Sequence, residues 1–154
     1  MDVREHSKRP ATTSEGGTAA GKPATVLVVA YDVAKRNQLE GWLEWAGYEV
    51  CSCPGPGLPT TCPQIRGRSC PLTGGVDLVV LDLELRGDFG DGSPPSWVLL
   101  DSYLERGSRV VALADPEADP PLIDGTGCTL VPRGLDEQQL LATVRRALRR
   151  ALAR

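Results

Sequence analysis

Two carboxylates stand close behind aliphatic runs. Asp82 directly follows Val76-Asp77-Leu78-Val79-Val80-Leu81, and Asp32 lies two residues after Val26-Leu27-Val28-Val29-Ala30. A carboxylate at the end of a buried strand can accept a phosphoryl group or hold a hard cation through oxygen. A second cluster is built from sulfur. Cys51, Cys53, Cys62 and Cys70 fall within 20 residues with spacing C-x-C-x8-C-x7-C, and Cys128 stands apart. Four thiolates can bind zinc tetrahedrally or hold an iron–sulfur cluster, and two of them can form a regulatory disulfide. The spacing is not the paired C-x2-C pattern of zinc ribbons, so ordinary thiols in a loop are the alternative. If Cys51 and Cys53 share one extended strand, they project from the same face, roughly 7 Å apart. A third group is cationic: Arg145, Arg146, Arg149, Arg150 and Arg154 crowd the end of the chain, downstream of Asp136 and Glu137. Acid before base suits the macrodipole of a helix. Such a strip is either a solvated face or a docking site for a protein partner.

Other chemistries lack their residues. The only histidine, His6, lies in a polar leader, so no imidazole base is available to activate a cysteine. There is no G-x-G-x-x-G after the first apolar run, no phosphate-binding P-loop and no G-x-S-x-G elbow. The chain is not expected to be an enzyme. A net charge of −3 removes the general positive field on which non-specific nucleic-acid binding relies. The longest apolar run, Val26 to Tyr31, is too short to enter and cross a bilayer, so no membrane insertion is expected. No apolar stretch of ~7–15 residues follows the start, as a secretory signal would need, and the expected location is the cytoplasm.

The elements that must position these residues can be read from hydrophobic pattern. The chain of 154 residues carries 17 glycines and 13 prolines and is long enough for one domain. Residues 1–23 are polar and expected to be a disordered tail, followed by a domain over 24–154. Thr25 to Ala30 reads as a strand buried on both faces. Asp32 is placed to cap a helix carrying Leu39, Trp42, Leu43 and Ala46, which Gly47 ends. Tyr48 to Cys53 and Val76 to Leu81 read as the second and third strands. Between them ten of the 22 residues from Pro54 to Gly75 are proline or glycine, so a Cys/Pro/Gly-rich insert replaces the helix expected there. A helix with Trp97, Leu99, Leu100, Tyr103 and Leu104 follows Pro94 and Pro95. The fourth strand is Arg109 to Ala114, and three prolines in the next segment leave room for one short helix. Cys128 to Val131 is the fifth strand, with Cys128 packing as a small apolar residue. A last helix carries Leu140, Val144, Leu148 and Leu152. Such alternation predicts an α/β domain: a flavodoxin-like, five-stranded parallel sheet with helices on both faces.

The strand Val26 to Val29, the sequence Ala46-Gly47-Tyr48-Glu49-Val50, the run Asp77 to Leu83, Val110 to Asp115 and the helix Leu141 to Leu148 together resemble a response-regulator receiver domain of the CheY-like type, from Ala24 to about Ala153. The resemblance places Asp82 at the phosphoacceptor position. It implies a stand-alone, receiver-like member acting in phosphorelay-type signal transduction through a histidine kinase or a downstream signalling protein, with a homodimer open. The sequence departs from the family pattern around Asp82. The two acidic positions that hold Mg²⁺ are Ala30 and Tyr31, with Asp32 one step late. The position of the switch hydroxyl that ends the fourth strand is Ala114, and that of the lysine near the end of the fifth strand is Pro132, with Arg133 next to it. Asp32 and Arg133 are the candidate pocket residues that remain, and any Mg²⁺ site is weak. The expectation is therefore an atypical receiver that works by protein contact with little or no phosphorylation of Asp82. The alternative is a metal- or redox-responsive module built on Cys51 to Cys70.

Overall fold

Runs of β-branched and aliphatic residues with no polar alternation must be covered on both faces, and the computed structural model places them in the middle of three layers. It describes residues 22–55, 70, 74–85, 96–115 and 127–153. The elements in chain order are β1 (Thr25–Val29), α1 (Val33–Trp45), β2 (Glu49–Cys53), β3 (Leu78–Asp82), α2 (Ser96–Glu105), β4 (Val110–Ala114), β5 (Cys128–Pro132) and α3 (Glu137–Ala153). The five strands form one parallel sheet in the order β2-β1-β3-β4-β5. The direction of winding reverses between β1 and β3, so the crevice where α/β sheets gather functional groups lies beyond the ends of these two strands.

Alternate residues of each strand serve opposite layers. Val26, Val28, Leu78, Val80, Val111 and Leu113 pack with Leu39 and Leu43 of α1 and with Leu140, Val144, Ala147 and Leu148 of α3. Leu27, Val29, Val79, Leu81, Val110 and Ala112 face the other way, against Leu99, Leu100 and Tyr103 of α2. Cys51, Cys53 and Cys128 border this second cluster. Trp42 packs at the margin of the first cluster, whereas Trp45 is 66% exposed.

The helix ends follow their sequence signals. Asp32 caps α1, its Oδ2 accepting the Lys35 amide at 2.8 Å. Gly47 turns the chain at φ 100°, a conformation strained for any residue with a Cβ. Asp136 and Gln139 form a reciprocal capping box at α3, each side chain accepting the other's amide at 2.8 Å.

The third strand starts two residues later than its apolar run suggests. Asp77 is occupied with its neighbour instead: its amide donates to the Thr25 carbonyl at 2.8 Å and its Oδ2 accepts the Thr25 amide at 2.9 Å. The insert over 54–75 and the shortened helix before β5 fall largely outside the described residues, as does most of the N-terminal tail. Three helices lie among those described.

Leu43 is fully buried and Val33 is 58% exposed on the same helix. We expect Leu43→Ala to lower unfolding free energy by about 2–5 kcal/mol and Val33→Ala to change it by less than about 0.5 kcal/mol, measured by urea denaturation.

Candidate functional site

Asp82 is the last residue of β3, a central strand, and its side chain is fully buried. A buried carboxylate needs a partner for each oxygen, because leaving an ionised group unpaired in the interior is costly. The partner is Arg133. Its Nε donates to Asp82 Oδ1 at 2.6 Å and its Nη2 to Asp82 Oδ2 at 3.0 Å, the two-pronged geometry in which a guanidinium matches a carboxylate best. The third guanidinium nitrogen, Nη1, lies 2.6 Å from Glu84 Oε1. The hydrogen bond that Arg133 donates to Asp82 is the main influence holding its guanidinium more firmly protonated than usual. The charges of Asp82, Glu84 and Asp115 act in the same direction, and burial opposes them.

Backbone contacts fix both partners. The Arg133 amide donates to the Ala114 carbonyl at 2.9 Å, extending the β4–β5 pairing by one step. The Arg133 carbonyl accepts Lys35 Nζ at 3.0 Å, so α1 is tied to the segment after β5. Pro132 can end β5 because this is an edge strand, where a missing amide costs little. On the other side, Asp82 Oδ1 also accepts the Glu84 amide at 3.2 Å, which turns the chain after β3 and aims Glu84 back at the guanidinium. Ser96 at the start of α2 donates its hydroxyl to the Leu83 carbonyl at 2.9 Å and holds this turn against the helix.

The remaining pocket positions are not aimed at Asp82. The Asp32 carboxylate caps α1, and no hydrogen bond or ion pair joins it to Asp82. Ala30 is buried at the end of β1 and its carbonyl accepts Arg36 Nη1 at 2.8 Å, with the Tyr31 carbonyl 3.4 Å from the same nitrogen. Magnesium needs near-octahedral oxygen ligands. Here both Asp82 oxygens are engaged by arginine, Asp32 is engaged by a helix end, and the cationic side chains at this end of the sheet come from α1 and from the residue after β5. Among the described residues no group of three metal-ligating side chains occurs. The described residues do not fit Mg²⁺.

Sequence reading singled out Asp82 and Arg133, and the fold brings these two together, 51 residues apart in the chain. It missed Glu84 as a partner of Arg133, and it missed Lys35 and Arg36 altogether. Glu84 carried a usable signal, since a carboxylate two residues after a strand-end aspartate can return to the same crevice.

The cysteines lie elsewhere. Cys51 and Cys53 are on β2, at the edge of the sheet, and no disulfide joins any two of the described cysteines. Burial pushes the Cys51 thiol up, and the nearby Cys70 adds to this against its own backbone hydrogen bond. The Gly55 amide donates to Cys53 Sγ at 3.3 Å. Cys62 lies outside the described residues. Arg145, Arg146, Arg149 and Arg150 are all exposed on α3.

Burial pushes the Cys128 thiol up from 9.0 to about 11. The fold favours the neutral thiol, so this contribution to stability is whole below pH 9.0 and is lost as pH rises to about 11. We expect Cys128→Val to flatten the alkaline limb of a stability–pH curve, and Cys128 to be alkylated more slowly by iodoacetamide than Cys51 in the native protein. A second expectation concerns the ion pair: Arg133→Met should lower stability by about 3 kcal/mol by stranding the Asp82 carboxylate, and Arg133→Met with Asp82→Leu should recover much of that loss in thermal unfolding.

No family model and no curated protein matches this sequence. Solved structures do match its fold. A response regulator receiver domain protein (CheY-like) from Methanospirillum hungatei JF-1 is similar with a TM-score of 0.62 and 18% identity, over 85% of this chain and 98% of that one. The N-terminal domain of a response regulator/sensory box/GGDEF 3-domain protein from Carboxydothermus hydrogenoformans has a TM-score of 0.61 and 19% identity, over 84% and 97%. The receiver domain of the hybrid histidine kinase CckA has a TM-score of 0.57 and 20% identity, over 81% and 99%. The chain has the fold of response-regulator receiver domains. No helix among the described residues is long and apolar enough to cross a membrane.

Proposed function

We propose that this chain is a receiver-fold signalling module that acts by protein contact and does not use Asp82 as a phosphoacceptor. The observation that carries the reading is the paired geometry of Arg133 on a fully buried Asp82. Phosphoryl transfer to a carboxylate requires one oxygen to approach phosphorus in line, with positive charge to receive the equatorial oxygens. Opening this site means breaking a buried ion pair, a cost of about 3–5 kcal/mol that leaves an accessible carboxylate in roughly one molecule in 150 or fewer. Even then the described residues around it offer no ligand set for a divalent cation, and Ala114 has no hydroxyl to follow a phosphoryl group.

In this reading the guanidinium supplies permanently the positive charge that a phosphorylatable site would recruit with a metal ion. The pocket is held in one state, and the receiver framework serves as a scaffold for surface recognition. Partners are signalling proteins rather than small-molecule substrates, and the chain is not an enzyme. The similar solved structures support the signalling assignment through their shared fold.

Intact-mass analysis after incubation with acetyl phosphate and Mg²⁺ tests the reading. We expect the mass to stay that of the unmodified chain. A phosphoryl adduct that disappears in Asp82→Asn would overturn it.

A further inference from the structure

Four of the 17 lysines and arginines of this acidic molecule lie within six residues of one helix. Arg145, Arg146, Arg149 and Arg150 are exposed, and among the described residues none of them makes a hydrogen bond or ion pair. They form two ridges at i, i+4 spacing. Arg145 and Arg149 follow Leu141 along one side of α3, and Arg146 and Arg150 lie on the adjacent side.

The first ridge has a neighbour. α1 packs alongside α3, and Tyr48, Trp42, Ala46, Leu141, Ala147 and Leu148 share one apolar cluster at the seam. Tyr48 therefore sits where the chain leaving α1 passes the second half of α3. Burial pushes its phenol up while the Arg145 and Arg149 guanidiniums pull it back, which places that ridge, and not the Arg146–Arg150 ridge, beside it. Three residues before Tyr48, at the end of α1, Trp45 is 66% exposed. An exposed indole at the end of α1, with two arginines unpaired among the described residues on the neighbouring α3, combines apolar area with directed positive charge, the composition typical of binding hot spots.

We infer that the seam between α1 and α3 is the docking surface for an acidic, aromatic-containing segment of a partner protein, with Arg145 and Arg149 pairing with its carboxylates and Trp45 meeting its apolar side chain. This deepens the proposed protein-contact function and rests on it. Charge complementarity selects the occupant. The molecule as a whole carries −3, so an extended anionic surface such as a duplex or a bilayer repels most of it, whereas a short acidic segment meets only the local patch. The apolar stripe of α3 is committed to the core, which leaves that helix no face to insert among lipids.

The full chain can be titrated against a fluorescein-labelled peptide of glutamates flanking a central phenylalanine, followed by anisotropy at low and at physiological ionic strength. Saturable binding that weakens with salt is expected. The double variant Arg145→Glu/Arg149→Glu should lose about tenfold in affinity or more, whereas Arg146→Glu/Arg150→Glu, with the same change in net charge, should stay within about twofold. Trp45→Ala should also weaken binding, and circular dichroism checks that each variant is folded. The surface is overturned by absent saturable binding, by equal losses for the two arginine pairs, or by preferential binding of a DNA oligonucleotide or of phosphatidylglycerol vesicles. Failure of peptide binding with Asp82 unmodified by acetyl phosphate removes this surface alone. Phosphorylation of Asp82 with peptide binding intact removes the pocket reading instead.

Discussion

A carboxylate at the buried end of a central strand must be neutralised, and in this protein a guanidinium does so from inside the chain. The pair of Asp82 and Arg133 connects β3 with the segment after β5, and Lys35 extends the connection to α1 through the Arg133 carbonyl. Three elements that meet at the functional edge of a parallel sheet are thus held by one charged group. Glu84 occupies the remaining nitrogen and brings the turn after β3 into the same network. Both oxygens of the buried Asp82 are paired, which is the condition under which a buried polar group rigidifies a structure rather than weakening it.

That constraint changes what the fold can do. Strand-end crevices in doubly wound sheets ordinarily admit a ligand because the chain leaves open positions there. Here Arg133 fills the space over Asp82, Arg36 caps the carbonyl after β1, and Asp32 is spent on the amide of Lys35. In the proposed reading, recognition falls to surfaces the core does not consume. The receiver layering remains intact beneath them: two apolar clusters on opposite faces of the sheet, each closed by its own helices.

Local signals account for what was legible in the sequence. Aliphatic and β-branched runs mark β1, β3 and β4 because such residues fit a pleated, buried surface, and these strands lie where the runs stand, with β3 displaced by the bonding of Asp77 to Thr25. Asp32 and Gly47 bound α1 for reasons of capping and φ alone. Asp82 could be placed at a strand end, and Arg133 next to the end of β5, from the same pattern. The network could not be read in this way. Lys35 reaches Arg133 across 98 residues and Arg133 reaches Asp82 across 51, and nothing in composition or periodicity encodes which long side chain will reach which oxygen. The capping box of Asp136 and Gln139 was a local signal that the apolar stripe of α3 overshadowed.

The central claim is that the Arg133 guanidinium occupies the Asp82 site permanently, in place of a divalent cation. The ¹H–¹⁵N resonance of Arg133 Nε reports on it directly, because a guanidinium N–H bonded to a buried carboxylate is shielded from solvent exchange. The account predicts a slowly exchanging Nε signal that is lost in Asp82→Asn and unmoved by millimolar Mg²⁺. A signal that exchanges at the rate of an exposed arginine, or that shifts on addition of Mg²⁺, would contradict it.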